Sequence, residues 1–258
     1  MDFPREELLK KYYSLREQYV DPYKPDFKAE GGTVRYMKFN DAWKGLNPFA
    51  RFLLPRLTYT KNRFPNPRAK SIPANANPDE YVLVRYDADG KVRTAELAPN
   101  GNSCLAVVYV SDQLTVSYTL YRNDDASETY RLFGFEWHEY DDSGRLLSWE
   151  EFRCPTESAD AVAIDCEYYE YENGVLSRAR YFKNFENNPP KMTMNLVLKM
   201  MPDRIFNPEK FEYLFRRVPD GLYYTCRHYF RESQTLTFED HVPEETITHL
   251  SDNGFLFT

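Results

Sequence analysis

Apolar residues recur along this chain in two rhythms, and the rhythm changes near residue 81. Over residues 4–20, Leu8, Tyr12, Leu15 and Tyr19 fall at i, i+4, i+7 and i+11. This spacing draws one apolar stripe down a helix. Asp2 can cap its start, and Asp21-Pro22 stops it, because proline disfavours helical backbone in the residue before it. Residues 33–39 (TVRYMKF) alternate and predict a strand. Asn47-Pro48 opens a short helix through Leu54 that Pro55 ends. Residues 55–79 carry Pro55, Pro65, Pro67, Pro73 and Pro78 with little periodicity. They predict an extended segment, either a linker or a strap over the rest.

From Tyr81 the period is two. Runs at 81–87 and 91–97 flank Asp89-Gly90, and runs at 104–110 and 114–121 flank Ser111-Asp112-Gln113. Runs at 130–140 and 145–152 flank Asp141–Gly144, and runs at 164–172 and 175–183 flank Asn173-Gly174. Asp-Gly and Asn-Gly favour tight hairpin turns, since they tolerate the positive φ such turns require. Gly144 and Gly174 are therefore expected in the left-handed region. Met192, Met194, Leu196, Leu198 and Met200 alternate within a further strand. Asn207-Pro208 predicts a helix over 209–217, and residues 222–230 and 234–239 a last hairpin-like pair. The fold class expected is mainly β. It is an antiparallel curved sheet or sandwich of consecutive hairpins, with an N-terminal helix and one or two short covering helices. Residues 81–258 form the β domain. Residues 1–80 are a helix and a basic, proline-rich arm packed on it.

The octet Glu139-Tyr140-Asp141-Asp142-Ser143-Gly144-Arg145-Leu146 has echoes at Tyr86-Asp87-Ala88-Asp89-Gly90-Lys91-Val92 and Tyr171-Glu172-Asn173-Gly174-Val175-Leu176. Through Tyr140, Asp141, Gly144, Arg145 and Leu146 it resembles one unit of the YD repeats of bacterial RHS-type proteins. It is also similar to the short hairpin repeats of some bacterial immunity proteins. At the third unit Glu172 stands in place of Asp and the turn is one residue shorter. The resemblance spans about a third of the chain. It implies a hairpin-built scaffold of bacterial origin and carries no catalytic residues.

Composition narrows the class. Of 258 residues 16% are aromatic, with 21 Tyr and 18 Phe, residue types that suit a pleated surface. No apolar run approaches the roughly 20 residues that span a bilayer. Pro4, Glu6 and Glu7 interrupt any signal-peptide core, so a cytoplasmic protein without a membrane partner is expected. Cys104, Cys154, Cys166 and Cys226 lack CxxC spacing, and reduced thiols are the default; only Cys154 and Cys166 flank a loop as a bridging pair would. The net charge of −7 hides a split: residues 1–70 hold 15 basic against 8 acidic residues. Residues 121–172 hold 15 acids against four Arg, and residues 44–78 hold seven basic residues and no acid. That basic segment could grip phosphates. An intramolecular strap against the acidic sheet outweighs that reading, so nucleic acid is not an expected partner.

No GxGxxG, GxxxxGK[ST], HExxH or GxSxG occurs, so the common nucleotide, zinc-protease and serine-hydrolase signatures are absent. No cofactor is implied. Cys226 and His228, two apart on one strand face, are a lone metal-ligand pair; without a second pair, no metal site is expected. Glu136, His138 and Tyr140 share one face of their strand, and the return strand brings Trp149, Glu150 and Glu151 close. Glu136, His138 and Glu150 are the candidate acid–base set. The plainer reading, a solvated outer face, outweighs it. Trp137, Trp149 and the tyrosines at 168, 169 and 171 are candidate stacking platforms, although strand aromatics are more often core. The reading preferred is a non-enzymatic module, immunity- or adaptor-like, that binds a basic protein partner. Its acidic sheet face would comprise Glu136, Glu139, Asp141, Asp142, Glu150 and Glu151. The alternative is an enzyme or small-ligand binder using the Glu/His/Glu set.

Overall fold

The computed structural model describes residues 2–19, 32–38, 70–77, 81–89, 92–96, 103–122, 125, 128–154, 158–188, 208–230 and 234–243. The short helix at 47–54 and the Met-rich strand at 191–200 lie outside the described residues, as does most of the basic segment 44–78.

Among the described residues, helix α1 (Arg5–Tyr19) is followed by twelve strands: β1 (Val34–Lys38), β2 (Tyr81–Tyr86), β3 (Val92–Glu96), β4 (Ser103–Tyr109), β5 (Leu114–Arg122), β6 (Glu128–Tyr140), β7 (Leu146–Arg153), β8 (Val162–Glu172), β9 (Val175–Asn187), β10 (Glu209–Val218), β11 (Gly221–Phe230) and β12 (Gln234–Pro243). All twelve form one antiparallel sheet whose spatial order is the chain order, β1 to β12. The sheet is open and does not close into a barrel. The mainly β, hairpin-built architecture and the N-terminal helix read from the periodicity are those observed.

The hairpin turns follow from their residues. Gly144 has φ +78°, and the Asn173-Gly174 pair has φ +52° and +82°. A β-branched residue would be strained at any of these positions. At the octet, the Asp141 carboxylate accepts the backbone N–H groups of Ser143 and Arg145, both at 2.9 Å. The Arg145 side chain donates back to the same carboxylate at 2.6 Å and lies 5.2 Å over the Tyr171 ring. Asp141 and Arg145 thus close the turn on itself and tie it to the next hairpin.

One element differs. The predicted helix at 209–217 is strand β10. Pro208 and good helix formers favour a helix locally, but Phe211, Tyr213 and Phe215 are buried and alternate with Glu212, Leu214 and Arg216. Cross-strand pairing with β9 and β11 buries that aromatic row, and tertiary burial overrides propensity.

The two sheet faces carry separate cores. On the near face, α1 lays Leu8, Tyr12 and Leu15 on Val116, Phe135, Phe152, Ile164 and Phe182. The Tyr12 ring stacks on Phe152 at 6.2 Å, and its hydroxyl donates to Ala161 O at 3.3 Å. Acids in the first turn of α1 and Arg16 in the last suit its dipole. On the far face, Tyr169, Ala179, Tyr181, Phe211, Tyr213, Phe215, Tyr224 and Cys226 form the second core.

Candidate functional site

The central strands β6, β7 and β8 hold most of the candidate residues, and their register sorts them. Glu136 stands opposite Glu151, Trp137 opposite Glu150, and His138 opposite Trp149. Glu151 in turn stands opposite Asp165, and Trp149 opposite Glu167. Side chains directly opposite share a face. The far face therefore carries two adjacent rows: Glu136–Glu151–Asp165 and His138–Trp149–Glu167.

The expected set Glu136, His138 and Glu150 is not assembled. Glu136 and His138 share the far face; Glu150 points to the near face. A bulge between Glu139 and Tyr140 is the cause. Tyr140 pairs with Leu146 and Glu139 with Ser148, so Leu147 is the extra residue. A regular register would have put Glu136 opposite Glu150. One extra residue exchanges the faces and puts Glu151 there instead.

The six acids expected to form one face are likewise divided. Glu136 and Glu151 lie on the far face, and Glu139 and Glu150 on the near face. Asp141 belongs to the turn, where the Arg145 backbone N–H holds its carboxyl below the ordinary range, with the Arg145 side chain and Ser143 N–H assisting. Asp142 is exposed at the turn. Glu150 is 4% exposed and pairs with Lys11 of α1. Lys11 also stands 5.1 Å over the Trp137 ring. Tyr168 donates to the other Glu150 oxygen at 3.5 Å. Burial pushes the Glu150 carboxyl up, against the pull of Lys11 and Tyr168. This cluster fastens the helix to the sheet.

The far-face rows are unusual in how little water reaches them. Glu167 is 0% exposed, Asp165 6% and His138 7%. Arg153 pairs with Asp165 and stands 3.9 Å from Glu151. The Tyr169 hydroxyl donates to Glu167. His138 stacks on Tyr140 with ring centroids 6.2 Å apart. Trp149 is 5% exposed, and its buried indole N–H has no acceptor among the described residues. Glu136 and Glu151 are only partly buried and form the rim.

The stacking platforms are split in the same way. Trp137 and Tyr168 pack on the near-face core, while Trp149, Tyr169 and Tyr171 belong to the far side. Cys226 and His228 do share a face. His228 is stacked on Phe211 at 4.1 Å and lies 3.3 Å from Glu209. Among the described residues no group of three or more His, Cys, Asp or Glu is placed to hold a metal ion. Cys154, Cys166 and Cys226 are free and buried. Burial raises all three thiols, Cys226 to about 11, which leaves them unreactive.

Asp165, Glu167 and Arg153 were not singled out by the pattern. The alternation Asp165, Glu167, Tyr169 was visible, but charged residues in a strand ordinarily read as the solvent side. No described helix is long and apolar enough to cross a membrane. Comparison with protein-family models, with curated proteins and with solved structures finds no match.

Proposed function

We propose that this protein is a binding module that receives a cationic group of a basic protein partner on the far-face rows of β6–β8. The reading rests on the Glu136–Glu151–Asp165 row. Like charges directly opposite each other in a sheet are destabilising; Arg153 offsets part of that cost at Asp165 and Glu151, and three carboxylates in line remain a costly choice for a mere scaffold. A guanidinium or ammonium entering at the Glu136–Glu151 rim would relieve that repulsion in a partly dehydrated place, where charge-assisted bonds are strong. The similarity of the octet to hairpin repeats of immunity proteins points the same way, and so do the missing catalytic signatures.

The experiment is calorimetric titration with a hexa-arginine peptide at low salt. E136Q/E151Q is expected to weaken binding about tenfold, equivalent to about 1.4 kcal/mol. The exposed pair E139Q/D142N is expected to leave it within about twofold, as rim charges do. Equal losses in the two variants would mean general attraction to a −7 chain and would refute the site.

A second reading draws on His138, which stands on the same face as Glu136 and Glu151. Those three, with Glu151 replacing Glu150, could perform acid–base work on a small polar substrate. Turnover of nitrophenyl glycosides or esters that is lost in H138Q would favour it. No turnover by the native protein across that panel would remove it.

A further inference from the structure

The near face continues beyond α1 onto β8–β12, and there the charge balance reverses. Arg178 and Arg180 lie on β9, Lys210 and Arg216 on β10, and Arg227 on β11; the register puts all of them on one side. Against these five cations stand Glu170, Glu172, Glu212 and Glu239 among the described residues. Glu212 sits at the centre, opposite Arg180 on one side and Arg227 on the other.

Three guanidiniums share that single carboxylate. Arg178 Nε and Arg180 Nε lie 3.8 Å from Glu212 Oε1, and Arg227 lies 3.9 Å from Oε2. These are ion-pair distances longer than a hydrogen bond. The direct bond to Glu212 comes from Tyr229 OH at 3.2 Å. Glu170 takes Arg180 at 2.6 Å and Arg178 at 3.3 Å. Arg227 and Arg178 are the open members: their side chains are 48% and 40% exposed, whereas Arg180 is 12% exposed. Arg227 meets one distant carboxylate oxygen and Arg178 bonds Glu170 through one terminal nitrogen; a guanidinium has five N–H donors, so each fork retains donors for a second, planar anion.

We propose that this surface docks an acidic segment of a protein partner, whose carboxylates take the forks of Arg178 and Arg227. Tyrosine and arginine are the residue types that dominate protein interfaces, and here they alternate across strands. Tyr229 lies under Lys210 at 5.2 Å, and Tyr223 under Arg216 at 5.3 Å. Those cations cover the rings on which nucleotide bases would stack. The interspersed Glu170, Glu212 and Glu239 interrupt any track for a polyphosphate. The chain's net charge of −7 repels a long polyanion as a whole, whereas a short acidic peptide meets only the local excess of cations. This surface lies on the opposite face from the carboxylate rows and stands or falls without them.

The test is fluorescence anisotropy of a labelled hexa-glutamate peptide and, separately, of a single-stranded RNA oligonucleotide. The native protein should bind the peptide in a salt-sensitive manner. R178Q/R227Q should weaken it about tenfold or more, while R5Q/R16Q, on the helix, should change it less than about twofold. Both variants should keep the native melting temperature, which separates loss of binding from loss of fold. No binding of the peptide by the native protein, or equal losses in the two variants, would overturn the proposal. RNA binding tighter than the peptide and lost in R178Q/R227Q would overturn the choice of a protein segment. E136Q/E151Q should bind the acidic peptide at least as well as the native protein, so failure here is distinguishable from failure of the carboxylate site.

Discussion

The far face of the sheet is two different materials at the same depth. Across β10–β12 it is aromatic and sulfurous: Tyr213 is 1% exposed, and Tyr224 and Cys226 are 0%. Across β6–β8 it is ionic, with Glu167 equally dry. The first half stabilises the fold by burying apolar area, and each ring packed there contributes a few kcal/mol. The second half gives up that gain. Buried ion pairs are often no more stabilising than apolar residues of the same volume, because desolvation offsets the attraction. Burial therefore does not explain why charges occupy β6–β8.

The comparison can be broken in four places. Tyr213→Ala should cost about 3–5 kcal/mol in denaturant unfolding, as for other large buried rings. A loss under about 1 kcal/mol would show that the aromatic half is not packed as a core. Gly134→Ala, beside the ionic half, should cost about 1–3 kcal/mol. A Cβ there would overlap the Phe152 carbonyl oxygen and lie 3.3 Å from Arg153 Cα, where backbone has no room to give. An unchanged midpoint would mean that β6 and β7 are less closely apposed than described.

Arg153→Met removes the cation beside Asp165 and Glu151. Its side chain is 37% exposed, so solvent softens the loss to about 1–2 kcal/mol. A stabilised variant would show that Arg153 is not what holds the carboxylate row in place. The smallest effect sharpens the comparison from the near face. Burial raises the Glu150 carboxyl above its ordinary 4.5, so the folded state holds that proton more tightly than the unfolded chain. Stability from this group is therefore greatest in acid and declines as pH rises from about 4.5 through the folded value. Glu150→Gln should flatten that decline in melts taken across pH. An unchanged slope would assign the pH dependence to other groups.

The stripe Leu8, Tyr12, Leu15 and the Gly144 and Gly174 turns are local facts, set by residues within one helix or one hairpin, and they were legible. Strand β10 was not, because Pro208 and the residues after it satisfy a helix equally well until β9 and β11 arrive. The site was half legible. Glu136 and His138 share a face by simple alternation, but their partner across the turn depends on where one extra residue sits. Leu147 sits there, and so Glu151 replaces Glu150. No composition or period encodes that choice.

The strand order holds a consequence for how the molecule is made. Each strand pairs with its sequence neighbours, and within β2–β9 and within β10–β12 the loops are short, so those hairpins can form as soon as their second strand leaves the ribosome. The helix is the exception. Tyr12 meets Cys154 across 142 positions, and Phe3 packs on Phe182 and Phe185. The helix is synthesised before the strands it packs on and is thus among the last elements to be seated. Until β9 is in place, the apolar stripe of α1 and the near face of the growing sheet are both exposed. In the cell that interval is when a chaperone would find this chain.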